Sequence, residues 1–235
     1  MAAAAETLQI RIDEVRRKIA AAVQKSGRAP ESVKLVAVSK THPEAVVRQA
    51  IELGLTDFGE NRVQEAEAKI IAVGDSAARW HLIGHLQANK VRRAVKLFDV
   101  IHSLDSIGLA QRLERSCVEG GREELQVLIQ VDLAGEATKS GVALTELPGL
   151  AKFVKDCSRL RLTGLMILPP FFDDPEDVRP FFRRLKDLRD ELHAGGLFGG
   201  SSGELSMGMT HDFEVAIEEG ATMVRVGTAI FGKRS

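Results

Sequence analysis

The sequence predicts a (β/α)8 barrel, also called a TIM barrel, and three features of the chain support this fold. Eight short apolar segments with the β-branched content of buried strands alternate with helical patterns along the 235 residues. Alternating strand and helix units form parallel sheets, and a parallel sheet buried on both faces needs a surrounding layer of helices. Eight units favour a closed barrel over an open sheet, and the chain has a typical length for one barrel. We therefore predict one domain over residues 1–235, with an extra helix at its N-terminus.

The predicted elements begin with that extra helix. Residues 6–25 carry an apolar residue every three or four positions, which is the spacing of one helix face, and Gly27 and Pro30 then end the helix. The clearest of the later helices starts at Asp174, whose side chain can cap it and which precedes Pro175. The eight strands are predicted at residues 33–38, 56–58, 80–83, 100–103, 127–131, 162–168, 204–207 and 223–226.

Composition and charge exclude several classes of protein. The formal net charge of −1 gives no broad attraction for nucleic acid or for an anionic membrane. The two cysteines, Cys117 and Cys157, lie far apart and exclude both a disulfide framework and a Cys-x-x-Cys motif. The sequence shows neither a secretory signal nor an apolar stretch of membrane-spanning length. We therefore predict a cytoplasmic protein with no nucleic-acid or membrane partner. We also expect a monomer, although none of these features bears on oligomeric state.

Lys40 is the first candidate for chemistry, because only Ser39 separates it from the first predicted strand. In barrels of this type the active site lies at the carboxyl ends of the strands. Partial desolvation at the barrel mouth disfavours the ammonium form of a lysine and frees its amine to attack a carbonyl, as a Schiff-base lysine must. Position alone also allows a solvated lysine at the edge of the strand, so this alternative stays open.

Glycines and hydroxyls follow the last two predicted strands and form a second signal. Ser206 and Gly208 lie at the end of the seventh strand, and Gly227 and Thr228 follow the eighth. Such residues at neighbouring strand-to-helix turns present N–H donors and helix N-termini to an anion. Barrels commonly bind phosphate after strands seven and eight. Helix capping accounts for only one or two of these residues, so we predict an anion site.

Arg225 lies within the apolar eighth strand, where a guanidinium is costly to bury without a partner. Two partners fit the sequence: an acidic neighbour in a structural ion pair, or the ring nitrogen of a ligand.

No metal site is predicted, because His81 and His85 flank a strand end and do not have the helix-face spacing of zinc ligands.

Six ordered motifs resemble those of the pyridoxal phosphate homeostasis proteins, which share a fold with the N-terminal barrel of alanine racemase. The motifs are LVAVSKT at 35–41, FGEN at 58–61, WHLIGHLQ at 80–87, GEATKSG at 135–141, LSMGM at 205–209 and MVRVGTAIFG at 223–232. They extend from the first strand nearly to the end of the chain. The resemblance therefore covers almost the whole sequence and implies the same barrel.

The resemblance implies a role for each candidate residue toward pyridoxal 5′-phosphate (PLP), a vitamin B6 cofactor. Lys40 is implied to hold PLP as a Schiff base, with Asn61 lining the ring and Arg225 near the pyridine nitrogen. Lys139 corresponds to a second lysine of the family and is an alternative acceptor of the aldehyde. The phosphate is implied to be held by Ser206, Gly208, Gly227 and Thr228.

The function implied by the resemblance is PLP homeostasis: the protein buffers a reactive aldehyde and passes it to apo-enzymes, with no catalytic residue of its own. A guanidinium beside the pyridine nitrogen disfavours ring protonation and weakens the ring as an electron sink. The chain also has no tyrosine to act as the second acid/base of a racemase. Two alternatives stay open, a racemase-like PLP enzyme that uses Lys40 as a base and a Schiff-base aldolase without PLP.

Overall fold

Eight parallel strands form a closed barrel in the computed structural model, which describes residues 2–74, 78–135 and 140–232. The pairing of the last strand with the first closes the barrel and places Val36 beside Arg225. The predicted fold is confirmed, and the ends of every predicted strand lie within two residues of the observed ones. The strands are β1 Lys34–Val38, β2 Asp57–Glu60, β3 Arg79–Leu82, β4 Val100–Leu104, β5 Leu125–Gln130, β6 Leu160–Met166, β7 Glu204–Ser206 and β8 Met223–Val226.

Helices follow the strands and surround the barrel. They are α1 Ala2–Lys25, α2 Glu44–Glu52, α3 Val63–Val73, α4 Val91–Leu97, α5 Ile107–Glu119, α6 Leu147–Lys155, α7 Arg179–Ala194, α8 Phe213–Glu218 and α9 Thr228–Phe231. The predicted extra helix is α1, which packs against α8 and α9 through a buried stripe that includes Ile12 and Val15. Over the described ranges, no helix combines the length and the apolar character needed to cross a lipid bilayer.

One predicted helix begins differently from the expectation. Asp174 caps the segment as predicted, since its Oδ1 accepts a hydrogen bond of 2.9 Å from the N–H of Glu176. The first turn, Pro175–Val178, is however a 3-10 helix, and α7 starts only at Arg179. Short 3-10 turns are frequent at the N-termini of α-helices, and sequence patterns do not separate them from a regular first turn.

The strands have two differently composed faces. Successive side chains of a strand point to opposite sides, so alternate residues face the helices or the barrel interior. The outward residues, such as Phe58 and Leu165, belong to the large apolar core between strands and helices. Inside the barrel, Val100, Leu128 and Met166 form a small apolar cluster of their own. Much of the remaining interior is polar, and its side chains therefore need hydrogen-bond partners.

Candidate functional site

The carboxyl ends of the parallel strands open at one mouth, where the structure brings most of the predicted site residues together. Lys40 follows β1, and Gly227 and Thr228 follow β8, the strand paired with it. A Cβ added to Gly227 would lie 3.2 Å from the carbonyl oxygen of Val38, so the backbone of the β8 turn packs against the end of β1. Asn61 follows β2 and lines a groove of about 720 Å³ at the same mouth. Lys139 lies outside the described residues.

The turn that carries Lys40 has a strained backbone. Lys40 is half-buried, and the next residue, Thr41, has a φ of 68°. Thr41 is the sole residue other than glycine with a positive φ in the part of the chain that the structure describes. Such a conformation costs on the order of 1–3 kcal/mol and persists only where the surroundings hold it. The N–H of Thr41 donates to Glu65, and that of His42 donates to the carbonyl of Ser39 at 3.1 Å.

A buried ionic cluster adjoins this turn. Lys69 Nζ lies 2.6 Å from Glu60 Oε1 and 3.1 Å from Glu65 Oε1. Burial raises the pKa of Glu60, and the hydrogen bonds from Lys69 and Ser39 oppose that rise. Burial acts in the same sense on Glu65, but the hydrogen bonds from Thr41 and Lys69 lower its pKa. The sequence reasoning missed Lys69, although its position on the apolar face of α3, between Ala66 and Val73, was a usable signal.

Arg225 is buried inside the barrel and hydrogen-bonded. Its Nη1 donates to Ser206 Oγ and its Nη2 to the carbonyl oxygen of Ile167, each at 2.7 Å. Burial lowers the pKa of Arg225 to about 10, so the guanidinium stays charged at neutral pH. Asp212 is close enough to raise that pKa, yet among the described residues no carboxylate forms a salt bridge with Arg225. The structure therefore does not favour the ion pair that the sequence left open.

Four further side chains continue from Arg225 across the barrel interior. Ser206 Oγ lies 2.9 Å from His102 Nδ1, and His102 Nε2 lies 2.8 Å from His81 Nδ1. His81 Nε2 in turn lies 2.9 Å from Asp57 Oδ1. Burial lowers the pKa of His81 and lowers that of His102 well below its ordinary value, so both rings are neutral at pH 7. Burial favours the neutral form of Asp57, but the hydrogen bonds from His81 and Thr56 lower its pKa.

The directions of these hydrogen bonds follow from the two charged residues at the ends of the hydrogen-bonded series, Arg225 and Asp57. A guanidinium can only donate and a carboxylate can only accept. Each neutral imidazole therefore carries its proton on Nε2, and the donors run from Arg225 through Ser206, His102 and His81 to Asp57. The Ser206 hydroxyl is fully buried and uses both its proton and a lone pair in this chain. This position does not favour the phosphate contact predicted for Ser206.

The turns after β7 and β8 place backbone groups at the mouth. Gly208 has a φ of 90°, and a Cβ there would lie 2.6 Å from the Cβ of Ala216, so no other residue fits. The helices that follow are short, since α8 has 6 residues and α9 has 4. A summed helix dipole therefore contributes less than the sequence reasoning assumed. The N–H groups of Thr228 and Ala229 have no partner within their helix and remain suited to an anion.

The titratable side chains at the mouth, as far as the structure describes them, do not form a metal centre. In residues 2–74, 78–135 and 140–232, no group of three or more His, Cys, Asp or Glu side chains could hold a metal ion. His85, one of the two histidines considered in the sequence, lies instead 3.1 Å from Ser140 Oγ and 3.5 Å from Asp105.

Comparisons with known proteins agree with the six motifs. Residues 10–235 match the family described as alanine racemase, N-terminal domain. Pyridoxal phosphate homeostasis proteins from Aquifex aeolicus and Pseudomonas aeruginosa are 43% and 44% identical to this chain, over 95% and 97% of it and 97% and 96% of their own lengths. The solved structure of PipY from Synechococcus elongatus PCC7942 with PLP bound is 37% identical and has a TM-score of 0.80, covering 96% of this chain and 100% of that one. The chain therefore belongs to the pyridoxal phosphate homeostasis protein family, whose barrel is that of the alanine racemase N-terminal domain.

Proposed function

We propose that this protein binds PLP covalently through Lys40 at the barrel mouth and carries the cofactor rather than turning over a substrate. The pairing of β1 with β8 carries the proposal, because it brings Lys40 next to the strand and turn that supply Arg225, Gly227 and Thr228. Membership of the homeostasis family supports it. So does PipY, a relative solved with PLP bound.

The residues at the mouth fit the parts of PLP. PLP supplies an aldehyde that a lysine amine attacks with loss of water, and a pyridine ring that can withdraw electrons. Lys40 provides the amine. Gly208 and Gly227 have no Cβ, so the turns after β7 and β8 pack closely against α8 and the end of β1. The backbone N–H groups at the start of α9 remain suited to a phosphate. Arg225 uses two of its five N–H donors on Ser206 and Ile167 and has further donors for a ring nitrogen.

Each residue of the candidate site has one proposed task. Asn61 lines the ring, and Gly208, Gly227 and Thr228 hold the phosphate. Ser206, whose hydroxyl is engaged by Arg225 and His102, acts through Arg225 rather than on the phosphate. Arg225 keeps its own proton at neutral pH and disfavours a proton on a neighbouring pyridine nitrogen.

Three observations support carriage over catalysis. The charged Arg225 opposes the electron-sink chemistry on which many PLP enzymes depend. The chain contains no tyrosine for a two-base racemase mechanism. The curated relatives are named as homeostasis proteins and not as racemases. We propose apo-enzymes as the recipients and a monomer in the cytoplasm as the working form. The free cysteines Cys117 and Cys157 suit that reducing compartment.

Borohydride trapping of the full chain loaded with PLP tests the proposal. Reduction should fix the cofactor on Lys40, as read by peptide mass spectrometry, and Lys40→Ala should lose both the adduct and the visible absorbance of the bound cofactor. Lys90→Ala is the matched control, because Lys90 lines the groove at the same mouth and should be dispensable. An adduct found chiefly on Lys139, or an undiminished yield in Lys40→Ala, would overturn the proposal.

A further inference from the structure

Lys69 is a buried lysine on α3, and each of its donors has an acceptor. Its side chain is 5% exposed, which is unusual for a lysine without a specific partner. Nζ donates to the carbonyl of Ser39 at 2.8 Å, to Glu60 Oε1 at 2.6 Å and to Glu65 Oε1 at 3.1 Å. An ammonium has three N–H donors, so these bonds use all of them. The position of this ammonium is therefore set from three directions.

Hydrogen bonds connect Lys69 to both peptide bonds that flank Lys40, to one directly and to the other through Glu65. The Ser39 carbonyl belongs to the peptide bond before Lys40, and Ser39 Oγ also donates to Glu60 Oε1 at 2.7 Å. The Thr41 N–H belongs to the peptide bond after Lys40 and donates to Glu65 Oε1, the oxygen that Lys69 also contacts. Fixing both peptide planes fixes the direction in which the Lys40 side chain leaves the backbone.

These hydrogen bonds are needed because the backbone of the turn is strained. Thr41 is β-branched and has a φ of 68°. This conformation is unfavourable for a β-branched residue and persists only where the surrounding structure holds it. Without Lys69, the carbonyl of Ser39 keeps among the described residues only its bond from the His42 N–H. Glu60 and Glu65 then become two carboxylates without their shared cation. Relaxation of Thr41 would then redirect the neighbouring Lys40.

We propose that Lys69 is a positioning residue, which holds the strained turn so that the Lys40 amine points to the cofactor position at the barrel mouth. The inference rests on the proposed function, since it assumes that Lys40 is the attachment site. Lys69 itself need not touch the ligand. Its effect passes through Ser39 on one side and through Glu65 and Thr41 on the other.

Lys69→Met in the full chain tests the inference through retention of the cofactor. PLP should dissociate at least about tenfold faster than from the unaltered protein, at a temperature well below unfolding. In the PLP-free protein, the amide of Thr41 should exchange with deuterium faster, because its acceptor is no longer held. Val73→Ala is the matched control, since it also removes buried side-chain atoms from α3, at the far end from Glu65. It should lower stability without altering PLP retention.

A second substitution separates positioning from a general loss of stability. Glycine adopts a φ of 68° without strain, so adding Thr41→Gly to Lys69→Met should recover most of the lost retention while the melting temperature stays low. Glu65→Ala is an alternative if Lys69→Met fails to fold, because the Glu65 side chain is 31% exposed, and it should also speed PLP loss.

The outcomes distinguish this inference from the proposed function. An adduct away from Lys40 in the unaltered protein would overturn both. An adduct on Lys40 with unchanged retention in Lys69→Met, or in Glu65→Ala where Lys69→Met does not fold, would overturn the inference alone. A loss of retention that Thr41→Gly does not reverse, and that Val73→Ala reproduces, would assign Lys69 to stability and not to positioning.

Discussion

Arg225 and Ser206 are joined by a hydrogen bond of 2.7 Å from Nη1 to Oγ, inside the barrel and out of contact with solvent. Ser206 in turn donates to His102, His102 donates to His81, and His81 donates to the carboxylate of Asp57. The charged Arg225 and Asp57 thus lie at the two ends of a hydrogen-bonded series of neutral side chains. Two of the Arg225 N–H groups have acceptors inside the barrel, and these bonds specify the orientation of the buried guanidinium.

The Ser206 hydroxyl should therefore act on stability more than on phosphate binding. Ser206→Ala leaves Arg225 Nη1 and His102 Nδ1 without their partner, so the free energy of unfolding of the PLP-free protein should fall by about 1–3 kcal/mol. Urea unfolding of the purified protein measures this change. Ser103→Ala is the control, because the buried Ser103 Oγ has no hydrogen-bond partner among the described residues and its removal should cost little. Equal stability of both variants would contradict the role of Ser206 in the chain.

Thr228 should behave in the opposite way. Its side chain is exposed and, at the start of α9, can donate to a phosphate. A charge-assisted hydrogen bond contributes about 1.5–3 kcal/mol, so Thr228→Ala should weaken PLP affinity roughly tenfold or more with little change in melting temperature. Equilibrium dialysis measures the affinity, and Thr228→Ser, which keeps the hydroxyl, should bind nearly as well as the unaltered protein. Unchanged affinity in Thr228→Ala would place the phosphate elsewhere.

The two buried histidines should make the protein less stable in mild acid. Burial lowers the pKa of His81 and His102 in the folded state, whereas histidines in the unfolded chain have a pKa of about 6.5. Below that pH the unfolded chain binds more protons than the folded one, so the free energy of unfolding falls as the pH decreases. Each histidine contributes a slope of up to about 1.4 kcal/mol per pH unit. Protonation of Asp57 lowers stability further only at lower pH, because the hydrogen bonds from His81 and Thr56 overcome burial and lower its pKa.

Denaturant unfolding between pH 7 and pH 5 measures this slope. His102→Gln should reduce it by up to the contribution of one proton, because glutamine does not titrate and can still form hydrogen bonds. His193→Gln, at an exposed position on α7, is the control and should leave the slope as it was. A slope that is unchanged in His102→Gln would show that this histidine is not held neutral by its burial.

The PLP-loaded protein should show no sustained racemase, decarboxylase or transaminase turnover. At its proposed position near the ring nitrogen, the charged Arg225 would oppose carbanion stabilisation, which each of these reactions requires. A panel of L- and D-amino acids, followed by chiral product analysis and by pyridoxamine phosphate formation, tests this expectation, with Lys40→Ala as the background. Turnover at about 1–1000 per second would support an enzyme, whereas stoichiometric exchange of the aldehyde would support carriage.

The strands and most helices could be predicted because their signals are local. Short β-branched runs mark buried strands whatever they pair with, and breakers such as Gly27 and Pro30 end a helix by their own backbone preferences. Eight repeats of one unit then leave few topologies to consider. The strand ends also identified the mouth of the barrel and Lys40 at it, since chemistry in this fold lies at the carboxyl ends of the strands.

The polar interior was decided by the tertiary structure alone. Ser206 and His102 are 104 positions apart, and their contact depends on barrel closure and on which face of each strand turns inward. Lys69 reads in the sequence as an interruption of an apolar helix face, and only the packing of α3 beside the β1 turn gives it Ser39 and Glu60 as acceptors. A local pattern reports whether a side chain is buried, but its partners come from distant strands and helices. The sequence by itself therefore determined the barrel, its mouth and its family, while the tertiary structure decided which groups surround the buried Arg225 and Lys69.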